Sequence, residues 1–321
     1  MVPAVCLRRQ AAGTHKSSSS QPRGPRPGGW GRSQSKEGLI VTTLDVLTFN
    51  LNSPDCERAI RQLDYLASRP EQVLVLTEAP YSAGCDLLAA RFEAAGYNVV
   101  FPRPARGERG VMIVSRLATR PGRVAVNHMP HRCVSVRVDT DYGPVEVVGL
   151  CVPTRDATDA KVARKRRFLD ECRSRIPEAW GTAQRGPLRL VIGAFNILEP
   201  EHEPPDQNFH HFEYSFYQWL GRAGYQDAFR ALHPKAVEHS WVTRSGGFRF
   251  DHAHVSQALA PRLGACEYVH ETRTADRRLT NHSALSVSVT VRPAEPLTVT
   301  VPESDAEPSV PHPGGVREYW R

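Results

Sequence analysis

The sequence predicts an α/β fold in which two β-sheets form the core and helices pack on their outer faces. Seven short runs rich in β-branched residues are bounded by turn residues, as strands are. Four longer segments have the spacing of helices. Some of the strand runs alternate apolar and polar residues and others are apolar throughout. A two-sheet core with helices outside accommodates both kinds.

In chain order, "LDVLTFNL" (44–51) is the first strand and 55–68 the first helix. "QVLVLTE" (72–78) and a helix over 84–95 follow. "GVMIVSR" (110–116), "CVSVRVD" (133–139) and "VEVVGLCV" (145–152) read as strands. A helix over 159–176 has Asp159 near its start, and "LRLVIGAF" (188–195) is the sixth strand. A helix over 213–223 has Glu213 near its start, "FRFDHAHVS" is strand-like, and "SALSVSVTV" (283–291) closes the series. No internal repeat is present.

The 321 residues, 40% of them hydrophobic, are enough for a sizeable core. No run approaches the roughly 18 apolar residues of a membrane span, and the basic N-terminus lacks a following apolar core for export. The expectation is a cytoplasmic protein, monomeric, with no membrane partner. The cysteines, Cys6, Cys56, Cys85, Cys133, Cys151, Cys172 and Cys266, are scattered and lack C-x-x-C spacing, so reduced and mostly buried thiols are expected.

Net charge is +7, but residues 1–38 hold an excess of six positive charges and residues 293–321 an excess of three negative ones. The middle is left at +4, mildly basic, which permits an anionic ligand without demanding one. Residues 1–40 are rich in Ser, Pro, Gly and Arg and read as a disordered basic tail. Residues 293–321 read as a disordered, Pro-rich acidic tail, leaving one domain over 41–292.

Polar residues collect at the strand ends. Asn50 and Asn52 end the first strand, Glu78 ends the second, and Asn196 follows the sixth. Asp251 sits inside "FRFDHAHVS", and Asn281 and His282 precede the last strand. A carboxylate among oxygen-rich neighbours suits Mg²⁺ or Mn²⁺. An Asp with a His supplies an oriented imidazole. Each also has an ordinary structural reading: turn residues for Glu78 and the asparagines, an arginine partner such as Arg249 for Asp251. Trp241 has two readings, a core residue or a stacking surface for a base or sugar.

Taken together, "LTFNLN", "LVLTEAP", "GVMIVSR", "VVGLCVPTRD", "LVIGAFNILEP", "GYQDAFRALHP", "HSWVTRSGGFRFDHAHVS" and "LTNHSALSV" resemble, in order, the blocks of the endonuclease/exonuclease/phosphatase superfamily. The stretch from Gly224 to Ser256 is most similar to the exonuclease III and abasic endonuclease branch. The resemblance spans about residues 44–291. It implies a four-layer αββα sandwich of two mixed sheets flanked by helices, as in deoxyribonuclease I. It also implies a Mg²⁺ or Mn²⁺ site and hydrolysis of phosphoesters, nucleic acid being the favoured substrate.

Residue by residue, the resemblance makes Asn50 and Asn52 the first asparagine block and Glu78 the metal-binding glutamate. Asn196 becomes the contact to the scissile phosphate, and Asp251 and His282 a dyad on that phosphate. Arg249 and Trp241 are expected to contact substrate, and Asn281 to face the metal. Three positions depart from the family pattern. Ala194 stands where a water-activating aspartate is usual, Asn281 where an aspartate precedes the histidine, and Cys151 where a tyrosine is common. A methyl group accepts no proton. One candidate replacement is the acidic loop "EPEHEPPDQNFHHFEYS" (199–215), with Glu199, Glu201, Glu203 and Asp206 beside His202, His210 and His211. Two functions stay open: a metal-dependent phosphodiesterase with impaired or altered catalysis, and a degenerate member that binds a phosphate-bearing ligand without cleaving it.

Overall fold

The computed structural model describes residues 42–303, except 155–157, 183–184, 203–205, 207, 245 and 277. The N-terminal tail, Cys6 and Glu203 lie outside the described residues. The elements are β1 (Leu44–Asn50), α1 (Cys56–Ser68), β2 (Val73–Pro80), α2 (Ala83–Ala94), β3 (Asn98–Val100), β4 (Arg109–Ser115) and β5 (Thr119–Pro121). Next come β6 (Cys133–Val138), β7 (Val145–Cys151), α3 (Asp159–Arg175), β8 (Arg189–Ala194), α4 (His211–Arg222), β9 (Tyr225–Asp227) and α5 (Ala228–Leu232). The last are β10 (Trp241–Thr243), β11 (Gly246–Phe248), β12 (Asp251–Ser256), β13 (Leu263–Val269), α6 (Glu271–Thr274) and β14 (Ala284–Val289).

Two six-stranded sheets carry the fold, one in the order β13-β14-β1-β2-β4-β3 and the other in the order β5-β6-β7-β8-β12-β9. Both are mixed: β1 runs parallel to β2 and β7 parallel to β8, while the other pairs are antiparallel. β10 and β11 form a separate hairpin.

The burial pattern explains why the central strands are apolar throughout. In β1, Leu44 and Val46 face the inter-sheet core with Val75, Ile113, Val147 and Ile192, whereas Leu47 and Phe49 face the layer of α1 and α2 with Leu63 and Phe92. In β8, Leu190 and Ile192 face inward and Val191 meets Phe168, Phe216 and Leu220 of α3 and α4. Sheets covered on both sides in this way make the four layers of an αββα sandwich.

Local signals fix the helix starts. The Asp55 carboxylate accepts a hydrogen bond from the Arg58 N–H at 2.8 Å and caps α1. Ser82 Oγ does the same for α2 with the Cys85 N–H. Glu213 is the third residue of α4, where its carboxylate accepts from the His210 N–H at 2.8 Å. α4 therefore begins two residues earlier than 213.

One expectation is corrected here. Residues 293–303 are not a free tail but continue along the domain: Ala294 N–H donates to Asp139 O, Leu297 N–H to Arg116 O and Thr300 N–H to Ala95 O. Val299 packs on the α1/α2 layer, so its apolar side chain is drawn out of water although the composition is loop-like. Residues 304–321 lie outside the described residues.

Candidate active site

A cleft of about 410 Å³ opens where the end of β2 and the loops after β1, β7 and β8 meet the β10–β11 hairpin and the approach to β14. Asn52, Glu78, Asn196, Trp241, Asn281 and His282 line it, so six residues from distant parts of the sequence are brought together. Arg109, Thr154, Asp206, Phe209, Phe248 and Phe250 complete the lining. Sequence reasoning passed over all of these except Asp206.

Backbone geometry aims the polar residues into the cleft. Asn52, Glu78 and Asn196 have φ of 51°, 52° and 51°, a left-handed conformation that is costly for residues with a Cβ and is typical of functional sites. Around Glu78, the register of β2 on β4 shifts between Leu76 and Ala79, and such a bulge re-aims a side chain. Asn196 is held from three sides. Its N–H donates to Phe250 O at 3.3 Å, its carbonyl accepts from the buried Lys165 ammonium at 2.6 Å, and its side-chain amide donates to Val152 O at 2.8 Å. Lys165 is in turn paired with Glu213 at 2.5 Å, and both are fully buried. α3 and α4 thus position the asparagine.

The pair expected from the sequence, Asp251 and His282, is formed. Asp251 Oδ2 lies 2.7 Å from His282 Nδ1, and both residues are buried. Ser240 Oγ accepts the Asp251 N–H at 3.1 Å, and Tyr268 donates to the Asp251 carbonyl at 2.6 Å, which fixes the backbone from which the carboxylate projects. Burial alone would lower the His282 imidazole. The Asp251 carboxylate, with a smaller effect from Glu78, outweighs it and raises the imidazole above its ordinary value. Nδ1 is committed to Asp251, so Nε2 is the ring atom left for a ligand.

On the Glu78 side, Arg109 Nη1 donates to Glu78 Oε2 at 3.0 Å. Asn50 is buried behind the cleft, its Oδ1 accepting from the Asn52 N–H at 2.8 Å. Among the described residues, the buried side-chain atoms without a hydrogen-bond partner include Asn50 Nδ2 behind the cleft and Asn281 Oδ1 on its lining residue. Such groups are costly unless a ligand, ion or water satisfies them. Among the described residues, no three His, Cys, Asp or Glu side chains come together as metal ligands.

Two of the three altered positions, Cys151 and Ala194, lie in one row. Cys151 of β7 pairs with Ala194 of β8, which pairs with Asp251 of β12. Ala194 is fully buried and Cys151 nearly so, with Arg132 Nη1 3.6 Å from its sulfur. Burial pushes the Cys151 thiol up. Neither residue lines the cleft.

Two expectations are corrected. Arg249 does not reach substrate: it is 0% exposed and its Nη2 is 2.7 Å from Glu199 and 2.8 Å from Asp227. Buried guanidinium needs such partners, and the Asp251 side chain pairs with His282 instead. Glu199 is equally committed, to Arg230 at 2.5 Å and to Arg249, so it cannot swing over the cleft. Burial alone would raise its carboxyl, but the guanidiniums of Arg230 and Arg249 outweigh that and bring it down to about 2. Glu201 and His202 line a different cavity of about 400 Å³ with Arg230 and His239. His210 and His211 belong to the start of α4. Of the described acids in that loop, Asp206 alone enters the cleft, with its Oδ1 accepting from Asn208.

Trp241 is half-buried in β10, bridged to His282 through the backbone, and packs against Phe248 and Phe250 with ring centroids 5.7 and 5.6 Å away. Phe209 approaches Phe250 at 5.9 Å. An aromatic wall therefore stands beside the imidazole.

No protein-family model and no curated protein sequence matches the chain. Solved structures do. A 3' phosphatase from Neisseria bound to a product DNA hairpin is 23% identical, with a TM-score of 0.63 over 76% of this chain and 98% of that one. An AP endonuclease from Archaeoglobus fulgidus is 20% identical, with a TM-score of 0.62 over 76% and 98% of the two chains. An AP endonuclease from Leishmania major is 16% identical, with a TM-score of 0.62 over 78% and 88%. The chain thus has the αββα sandwich of exonuclease III-like and AP endonuclease structures, the fold that its resemblance to the endonuclease/exonuclease/phosphatase superfamily implied.

Proposed function

We propose that the cleft engages a phosphodiester of nucleic acid and hydrolyses it slowly, as a nuclease-type phosphodiesterase with impaired chemistry. The observation that carries this reading is the buried Asp251–His282 pair facing the cleft while a methyl group, Ala194, stands opposite Asp251. The imidazole donates through Nε2 to a non-bridging phosphate oxygen, and Asp251 keeps it in that tautomer. Asn196 donates its remaining amide N–H to the same phosphate. Trp241 offers a face to the adjoining base or sugar.

What the cleft lacks is a base for the attacking water. General-base catalysis contributes about 10² to 10⁴ in rate, and at position 194 that contribution is gone. Asp206 is the acid left within the cleft to replace it.

The cleft offers a divalent ion few donors, and the one carboxylate among them, Glu78, already carries Arg109. The Asn281 Oδ1 without a partner and the Glu78 carboxylate would hold Mg²⁺ or Mn²⁺, the other positions being filled by water and substrate phosphate. Bound there, the ion would neutralise charge on the phosphate. One carboxylate in place of two or three makes it a weak site.

The second reading, binding without hydrolysis, is favoured by the Arg109 guanidinium on Glu78, which already balances that carboxylate. Fluorescence anisotropy with a labelled abasic-site duplex and a labelled single strand tests the common part of both readings. Micromolar or tighter binding that weakens about 10- to 100-fold in His282→Ala is expected, by loss of one charge-assisted hydrogen bond. Binding that ignores His282→Ala sinks both readings.

A further inference from the structure

We propose that Arg109 is a built-in counter-cation for Glu78. Its guanidinium takes the place on that carboxylate that a divalent ion would take, and turns its remaining N–H groups to the ligand's phosphate, so that the cleft accepts a phosphodiester without a divalent ion.

The geometry places Arg109 for this role. It is the first residue of β4 and pairs with Pro80, beside the bulge that turns Glu78 into the cleft. Its Nη1 is 3.0 Å from Glu78 Oε2, with the glutamate side chain 9% exposed and the arginine side chain 43% exposed. The ion pair is therefore seated on the cleft floor at the carboxylate end and open to solvent at the guanidinium end. Guanidinium has five N–H donors in a planar fork, and the contact with Glu78 uses the Nη1 end, leaving others for an anion. Arg–phosphate contacts of this kind are among the strongest charge-assisted hydrogen bonds.

The neighbouring charges support the assignment. Among the described residues lining the cleft, Arg109 and His282 are the basic ones, facing Glu78 and Asp206, with Asp251 behind His282. The nearby arginines Arg132 and Arg164 are taken by Glu108. With Arg109 on Glu78 and His282 on Asp251, Asp206 is the remaining acid of the lining, and a divalent cation finds the Glu78 carboxylate already occupied. An incoming phosphate meets the N–H donors of Arg109 and His282 instead. Asn281 acts in the same direction, since it stands where a carboxylate on the metal side is usual.

The proposal rests on the reading of the cleft as a phosphate site, and two separate titrations keep the two distinguishable. In the first, Mn²⁺ is titrated into the protein alone, followed by electron paramagnetic resonance, for the wild type, Arg109→Ala and Arg109→Lys. Mn²⁺ affinity at least tenfold tighter in Arg109→Ala than in the wild type is expected, with Arg109→Lys between them. Equal affinities overturn the proposal. In the second, a labelled single-stranded oligonucleotide is bound in EDTA and in Mg²⁺. The wild-type Kd is expected to agree within about twofold between the two conditions, and Arg109→Ala to lose at least tenfold in EDTA. A wild type that loses tenfold or more in EDTA overturns the proposal. Oligonucleotide binding in neither condition defeats the phosphate-site reading, and the Mn²⁺ titration then decides the role of Arg109 by itself. Melting temperatures of the variants, expected to match the wild type because the Arg109 side chain is on the surface, exclude unfolding as the cause.

Discussion

Ala194 and Asp251 are cross-strand partners in the β8–β12 pair, so their side chains share one face of the sheet and the methyl group is buried beside the carboxylate that orients His282. A carboxylate at 194 would sit next to Asp251 with no cation of its own. Ala194→Asp is therefore expected to destabilise the protein by more than about 3 kcal/mol, since a buried polar group without a partner costs about 1–3 kcal/mol and a charged one more. Differential scanning calorimetry checks it, and an unchanged melting temperature would contradict the placement of Ala194.

The dyad divides into a contact residue and a positioning residue. His282→Ala removes the contact and should weaken oligonucleotide binding about 10- to 100-fold, the range for a hydrogen bond to a charged group. Asp251→Asn leaves the imidazole in place but removes the charge that holds its tautomer, and should weaken binding less than His282→Ala does. Anisotropy titrations rank the two. Equal losses would mean that Asp251 touches the ligand itself.

Glu199 makes a different prediction, about stability and pH. Its carboxyl lies at about 2 in the folded protein, below the ordinary 4.5. A depressed carboxyl contributes stability that is complete above 4.5 and is lost as pH falls from there towards 2. Glu199→Gln leaves Arg249 buried with a single acidic partner, Asp227. It should cost about 3–5 kcal/mol at neutral pH. Urea unfolding at pH 7 and pH 3 measures the difference between wild type and variant, which should narrow at pH 3. A difference that stays constant with pH rules out the ion-pair account.

Gly193 tests the close approach of β8 to β7. Its φ is +145°, and an added Cβ would lie 2.1 Å from Leu150 O, a backbone atom that cannot step aside. Gly193→Ala should destabilise the protein by several kcal/mol, since strain in an unusual backbone conformation and a hard clash add. Thermal unfolding reads it, and near-wild-type stability would show that the β7–β8 register is not as described.

The sequence carried the long elements and the site's main residues because both leave local signals. β1, β2, β7 and β8 are apolar on two faces, and α1 to α4 have a cap or a 3.6-residue stripe. β3, β5, β9, β10 and β11 are three residues each, too short for any periodicity to show. β13 has no alternation because it lies half-exposed on the edge beside β14. At the site, Asn196, Asp251 and His282 stood at strand ends. Arg249 misled because a charged residue beside Asp251 reads as ligand-facing, and burial with Glu199 and Asp227 is decided by contacts 50 and 22 residues away. Arg109 left no signal, since one arginine at the head of a strand is indistinguishable from a solvated one until Glu78 is folded against it.

As proposed, the cleft keeps a grip on phosphate while lacking a general base and much of the charge that would hold a metal. The direct measurement is single-turnover cleavage of an abasic-site duplex in Mg²⁺ by the wild type, by Ala194→Asp with Asn281→Asp, and by Asp206→Asn. The double variant is expected to cleave at least about 10² faster than the wild type, the lower end of a restored general base. Asp206→Asn is expected to lower whatever cleavage the wild type shows. A wild type that cleaves as fast as the double variant would contradict the claim.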